Sequence, residues 1–150
     1  MHRIIILLLC GMVSLPARAD LNIFACEPEW AELVIAIGAG HVDAYSATTA
    51  MQDPHYIQAR PSLIAKIRGA GLVVCSGAQL EIGWLPALLA KGNNPAVQPG
   101  TPGFLEVSKL VRRLEIPASV DRAQGDLHPA GTPHVQPNPH HISLIAPSLA

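Results

Sequence analysis

Short apolar segments alternate with segments of helical periodicity in the first half of the chain, and this alternation restricts the fold more than any other feature. Three runs are typical of short β-strands, namely Leu21–Cys26, Val42–Thr48 and Leu72–Cys75. Strands separated by helices pair into a parallel sheet with helices on both faces, so the pattern predicts an α/β fold. Ligands of such sheets bind beyond the carboxyl ends of the strands.

Proline and glycine mark the ends of the predicted helices. The first helix starts at Pro28, with acidic neighbours that suit the positive end of a helix dipole, and stops at the glycine at 38. Two more are predicted, from Pro61 to Gly69 and over Trp84–Ala90. The proline-rich part after residue 91 predicts irregular loop with a helix or strand around Phe104–Leu114, and residues 137–150 resume a helical pattern.

Residues 1–19 have the layout of a secretory signal peptide. A basic start precedes the apolar run Ile4–Val13, and the small-x-small end Ala17-Arg18-Ala19 predicts cleavage before Asp20. The apolar run is too short for a membrane anchor, because crossing a bilayer takes roughly 20 apolar residues. We therefore predict an exported chain with one domain over residues 20–150.

Composition excludes nucleic acid as a partner and leaves the cysteines ambiguous. The net charge is −1, so the chain has no excess positive charge to attract phosphates. Aromatic residues make up only 4% of the chain, too few to stack on nucleic-acid bases. Cys26 and Cys75 remain after cleavage and are either a disulfide of the oxidising compartment or two buried thiols. They are close enough to pair if the strand order begins 2-1-3.

Histidine is the residue type that most suggests chemistry. The chain has seven histidines, four of them between positions 128 and 141. His55 and His134 each follow a proline, which stiffens the loop, and neutral imidazole is a common ligand of zinc and other first-row ions. The alternatives are ordinary surface histidines and, for His140-His141, a low-affinity collecting patch. Ser76 lies in no nucleophile-elbow motif, so an enzyme is not expected.

Four stretches, spread over nearly all of the chain after residue 20, carry a distinctive pattern: Phe24–Trp30 (FACEPEW), Thr48–Ser62 (TTAMQDPHYIQARPS), Leu72–Trp84 (LVVCSGAQLEIGW) and His128–Val135 (HPAGTPHV). Together they resemble the amino-terminal half of the TroA-like metal-binding proteins, which are the periplasmic zinc or manganese receptors of ABC importers. The resemblance implies a single Rossmann-like lobe, with a parallel sheet flanked by helices, that forms the amino-terminal half of a two-lobed solute-binding protein.

The same resemblance implies the site and the function. A family ligand lies six residues before the proline of a Pro-Ser pair, which corresponds to His55, and a second lies in a Pro-His-hydrophobic element, which corresponds to His134. His128 is an auxiliary candidate. The implied protein is not an enzyme: it captures a divalent cation, zinc or alternatively manganese, in the periplasm and delivers it to an ABC permease in the inner membrane.

The chain departs from the family pattern in two respects. Asn138-Pro139-His140 occupies the place where relatives often have Asp-Pro-Arg. The joining helix and second lobe, which supply the remaining ligands in relatives, are not expected within these 150 residues, so we expect a truncated receptor that binds zinc weakly. Two alternative functions remain open: an exported structural or interaction domain without metal, and a secreted hydrolase that uses Ser76 or a bound zinc.

Overall fold

The computed structural model describes residues 20–117 and 128–150, so the predicted signal peptide at 1–19 lies outside the described residues. Four strands form one parallel sheet: β1 (Leu21–Ala25), β2 (Val42–Ser46), β3 (Leu72–Cys75) and β4 (Phe104–Glu106). Their order is β2-β1-β3-β4. This arrangement confirms the α/β prediction and the expected beginning of the strand order.

Four helices pack on the sheet: α1 (Pro28–Gly38), α2 (Pro61–Arg68), α3 (Leu85–Gly92) and α4 (Pro139–Ile145). Each has a proline in its first turn, where a missing N–H costs no hydrogen bond. The positive φ of Ala39 ends α1 without glycine at that position. No helix in the described part of the chain is long and apolar enough to cross a bilayer.

Side chains of each strand point alternately to the two faces of the sheet, so both faces are apolar and helices cover both. On β1, Phe24 packs with α2 and α3, whereas Ile23 and Ala25 pack with α1 and α4. Trp30 and Trp84 are the largest fully buried side chains, and they lie on opposite faces. Two apolar layers therefore fix the sheet and, with it, the loops at the carboxyl ends of the strands.

Several elements end a residue or two away from the predicted boundaries. β1 stops before Cys26, β2 stops before Thr48, and α3 begins at Leu85. Beyond the ladder, the N–H of Cys26 donates to the carbonyl of Val74 (2.9 Å) and the Thr48 hydroxyl donates to the carbonyl of Cys26 (2.9 Å). At the carboxyl ends of the strands, single hydrogen bonds thus replace the regular ladder of strand pairing. Apolar periodicity does not encode such bonds. The element expected around 104–114 is β4 followed by a 3-10 turn.

Candidate metal centre

Three imidazoles from distant parts of the chain meet in one cluster. His55 lies in the loop between β2 and α2, whereas His128 and His134 lie in the segment that leads to α4. The ligand nitrogens of the three side chains all lie within 4.8 Å of one another. His55 and His128 are partly buried and His134 is exposed, so the cluster is open to an incoming ion.

The closest pair in this cluster already has the spacing of metal ligands. Nε2 of His55 is 3.2 Å from Nε2 of His128. Two nitrogens at about 2.0–2.1 Å from a tetrahedral zinc ion lie about 3.3 Å apart. The widest separation in the cluster would therefore have to close by at most about 1.5 Å, which rotation of the exposed His134 side chain can supply.

Asp53 determines which nitrogen of His55 faces the cluster. Its Oδ1 accepts the backbone N–H of His55 (2.9 Å) and lies 2.7 Å from the imidazole Nδ1. Both interactions, the backbone one more strongly, lower the pKa of Asp53. A proton held on Nδ1 leaves the lone pair on Nε2, so the carboxylate prepares the ring for a cation. Asp53 was not among the site residues predicted from the sequence, although the Asp-Pro-His spacing was its signal.

The loop that carries His55 is tied to the buried core. The indole N–H of Trp84 donates to the carbonyl of Pro54 at 2.8 Å. Trp84 is almost completely buried at the start of α3, so this bond joins the residue before His55 to a rigid helix. The imidazole is thereby positioned before a ligand arrives, which lowers the entropic cost of binding.

The other described histidines lie outside the cluster. His41 precedes β2, at the amino end of the strand, and His140 is exposed on α4. Nδ1 of His141 lies 3.1 Å from the carbonyl oxygen of Val135. The two residues predicted as ligands, His55 and His134, are thus brought together with the auxiliary candidate His128, whereas the His140-His141 pair is separate.

A second polar group lies buried where β1 and β3 end. Oε2 of Glu27 accepts hydrogen bonds from the Ser76 hydroxyl (3.0 Å) and the Ser76 N–H (3.3 Å), and the indole N–H of Trp30 donates to the same hydroxyl (2.9 Å). The hydroxyl of the buried Ser76 is already engaged as a donor to Glu27 and an acceptor from Trp30, and no histidine contacts it among the described hydrogen bonds. The geometry therefore gives no support to a serine hydrolase.

Glu81 completes this buried group. Both of its carboxylate oxygens accept the N–H of Gly77, at 3.1 and 3.2 Å. Burial raises the pKa of Glu27 and of Glu81, and the negative charge of Glu81 raises that of Glu27 further. Burial and the neighbouring Glu81 charge thus both favour the protonated form of the Glu27 carboxyl group. From the sequence, Glu27 was expected only to complement a helix dipole.

Comparison with known proteins agrees with this architecture. The family model for "Zinc-uptake complex component A periplasmic" (ZnuA) matches residues 23–150. The fold is similar to that of a periplasmic metal binding protein from Candidatus Liberibacter asiaticus, with a TM-score of 0.66 and 16% identity over 87% of this chain and 43% of that chain. Its Mn-bound form gives the same values.

A crystal structure of ZnuA is also similar, with a TM-score of 0.58 and 22% identity over 87% of this chain and 44% of that one. A search of curated protein sequences gave no significant match. The chain thus spans less than half the length of the structures it resembles. Because the family model covers nearly everything after residue 22, the chain belongs to the ZnuA family, described as the periplasmic component A of a zinc-uptake complex.

Proposed function

We propose that this protein is exported to the periplasm and captures a divalent cation there for an ABC importer. The ligands would be the imidazoles of His55, His128 and His134. The observation that carries the proposal is the convergence of three ligand nitrogens within 4.8 Å, one of them oriented by Asp53. The described part of the chain would supply only these side-chain ligands, with water or a further protein group in the fourth position.

Zinc is the proposed cargo. Three imidazoles and one open position are a common zinc environment, whereas manganese favours oxygen ligands. The family description names zinc, and a solved relative of the same fold is Mn-bound, so the nature of the ligands favours zinc over manganese for this chain. After capture, the cation would pass to a permease in the inner membrane, and no bond-making chemistry is involved.

The proposal predicts zinc binding that depends on the cluster. Competition with a metallochromic chelator should show one saturable zinc site in the wild type. His55→Ala and His134→Ala should each weaken zinc binding by at least tenfold and abolish zinc-induced thermal stabilisation. His140→Ala is the matched control, because His140 is exposed on α4 outside the cluster. Equal zinc affinity in all four proteins would contradict the proposal, as would tighter binding of manganese.

Acid should release the cation, because a protonated imidazole cannot bind a metal. We expect zinc affinity to fall as the pH is lowered through about 6, the range in which free imidazole titrates. The measurement is the same chelator competition, repeated between pH 7.5 and pH 5 with a correction for protonation of the chelator. An affinity that is constant over this range would exclude imidazole ligands.

A further inference from the structure

Cys26 and Cys75 are joined by a disulfide at the carboxyl ends of β1 and β3. The two strands are paired neighbours, and the Cα atoms of the cysteines are 4.8 Å apart. Both side chains are fully buried. The bridge thus lies inside the core and is separate from the imidazole cluster, which contains neither cysteine.

The carboxylate of Glu81 lies directly against this disulfide. An oxygen of Glu81 and the sulfur atoms of Cys26 and Cys75 all lie within 4.8 Å of one another. Only 3% of the Glu81 surface is exposed, and the N–H of Gly77 holds its carboxylate in place. Two sulfurs and one fixed carboxylate are a zinc-type ligand set once the sulfurs are thiolates.

A second buried carboxyl group adjoins this set and has an unused oxygen. Oε2 of Glu27 accepts hydrogen bonds from the N–H and the hydroxyl of Ser76. Oε1 has no hydrogen-bond partner in the described part of the chain. Glu27 is close enough to Glu81 for the charge of Glu81 to raise the pKa of Glu27. Two carboxyl groups buried side by side require a positive charge between or beside them, which a proton or a metal ion can provide.

We propose that reduction of the Cys26–Cys75 disulfide creates a second metal site for zinc or another thiophilic divalent cation. Its ligands are Sγ of Cys26, Sγ of Cys75 and a carboxylate oxygen of Glu81, and the buried carboxyl group of Glu27 lies beside this set. This proposal does not depend on the imidazole cluster. In the disulfide form the sulfurs carry no charge and the site does not bind metal.

The conversion needs a dithiol reductant. The reductant transfers two electrons and two protons to the bridge, the S–S bond breaks to give two thiols, and the reductant becomes a disulfide. Metal binding then displaces the two thiol protons into solvent. Ligation requires the sulfurs to move to about 3.8 Å apart, given zinc–sulfur bonds of about 2.3 Å, and rotation about the Cα–Cβ bonds can achieve this without separating the strands.

The test uses Co²⁺ as a spectroscopic substitute for zinc in the variant His55→Ala/His128→Ala/His134→Ala. This variant lacks the imidazole cluster, so a failure of the second site is distinguishable from a failure of the proposed function. After anaerobic reduction and removal of the reductant, we expect one equivalent of Co²⁺ to bind with an intense thiolate-to-cobalt absorption in the near ultraviolet. The oxidised protein, which is the matched control, should show neither.

Glu81→Gln in the same background tests the third ligand. We expect it to weaken Co²⁺ binding to the reduced chain by at least tenfold, because an amide is a poorer ligand than a carboxylate. Unchanged affinity would overturn the assignment, since two free cysteines in an unfolded chain would bind without Glu81. Absence of the thiolate band in reduced protein would also overturn it, whether circular dichroism shows that protein to be folded or unfolded.

Discussion

Replacing Asp53 by asparagine should weaken zinc binding without altering the fold. Oδ1 of Asp53 pairs with Nδ1 of His55 at 2.7 Å and also accepts the backbone N–H of the same residue. An amide oxygen can keep both contacts, but it lacks the charge that favours a proton on Nδ1. The substitution therefore removes electrostatic support for the tautomer that presents Nε2 to the cation.

The expected loss of affinity follows from the strength of this one contact. Loss of a group that orients a metal-bound histidine typically weakens metal binding about 10- to 100-fold. The Asp53 side chain is 55% exposed, so solvent screens its charge, and asparagine retains an uncharged acceptor of roughly half the strength. Both considerations place the expected effect at the lower end, at about tenfold.

Chelator competition at pH 7.5 measures the effect directly. Asp43→Asn is the matched control, since Asp43 is an exposed aspartate on β2 that contacts none of the three imidazoles. The melting temperature of both metal-free variants should stay close to that of the wild type. Zinc affinity of Asp53→Asn within twofold of the wild type would refute the orienting role of Asp53, as would an equal loss in Asp43→Asn.

Two further predictions concern the buried side chains of Glu27 and Trp84. The folded state raises the pKa of Glu27 above its unfolded value of about 4.3, so the stabilising proton is fully held below that pH and is lost as the pH rises towards the folded pKa. Thermal melts of the metal-free protein between pH 5 and pH 8 should therefore show a smaller pH-dependent decrease for Glu27→Gln than for the wild type; equal decreases would exclude the buried proton. Trp84→Phe removes the 2.8 Å bond to Pro54, so chemical denaturation should show a loss of about 1 kcal/mol, and zinc affinity should fall a few-fold. Unchanged stability and affinity would show that this bond does not position the loop.

The arrangement of strands and helices was predictable because it follows from local patterns. Apolar runs, initial prolines and terminal glycines lie next to one another in the sequence and specify β1 to β3 and α1 to α3. The ends of these elements were less predictable. Cys26 and Thr48 leave the ladder to bond with each other through the Thr48 hydroxyl, and a partner 22 residues away has no local signal.

The candidate site also contains features that could be predicted from the sequence and features that could not. The pairing of His55 with His134 could be expected only from the resemblance to a family, because 79 residues separate them. The position of His128 depends on the path of an irregular segment that carries no periodicity. Nothing in the local sequence indicated that Glu27 and Glu81 are buried, because their partners Ser76 and Gly77 are brought to them by the fold.

X-ray absorption at the zinc edge of the protein loaded with one equivalent of zinc tests most directly whether the imidazoles share an ion. The oxidised protein should be used, so that the cysteines cannot contribute. We predict a shell of nitrogen at about 2.0–2.1 Å with the outer-shell scattering of three imidazoles, falling to two in His134→Ala. A shell with one imidazole or none, or a spectrum that His134→Ala leaves unchanged, would contradict the cluster as the binding site.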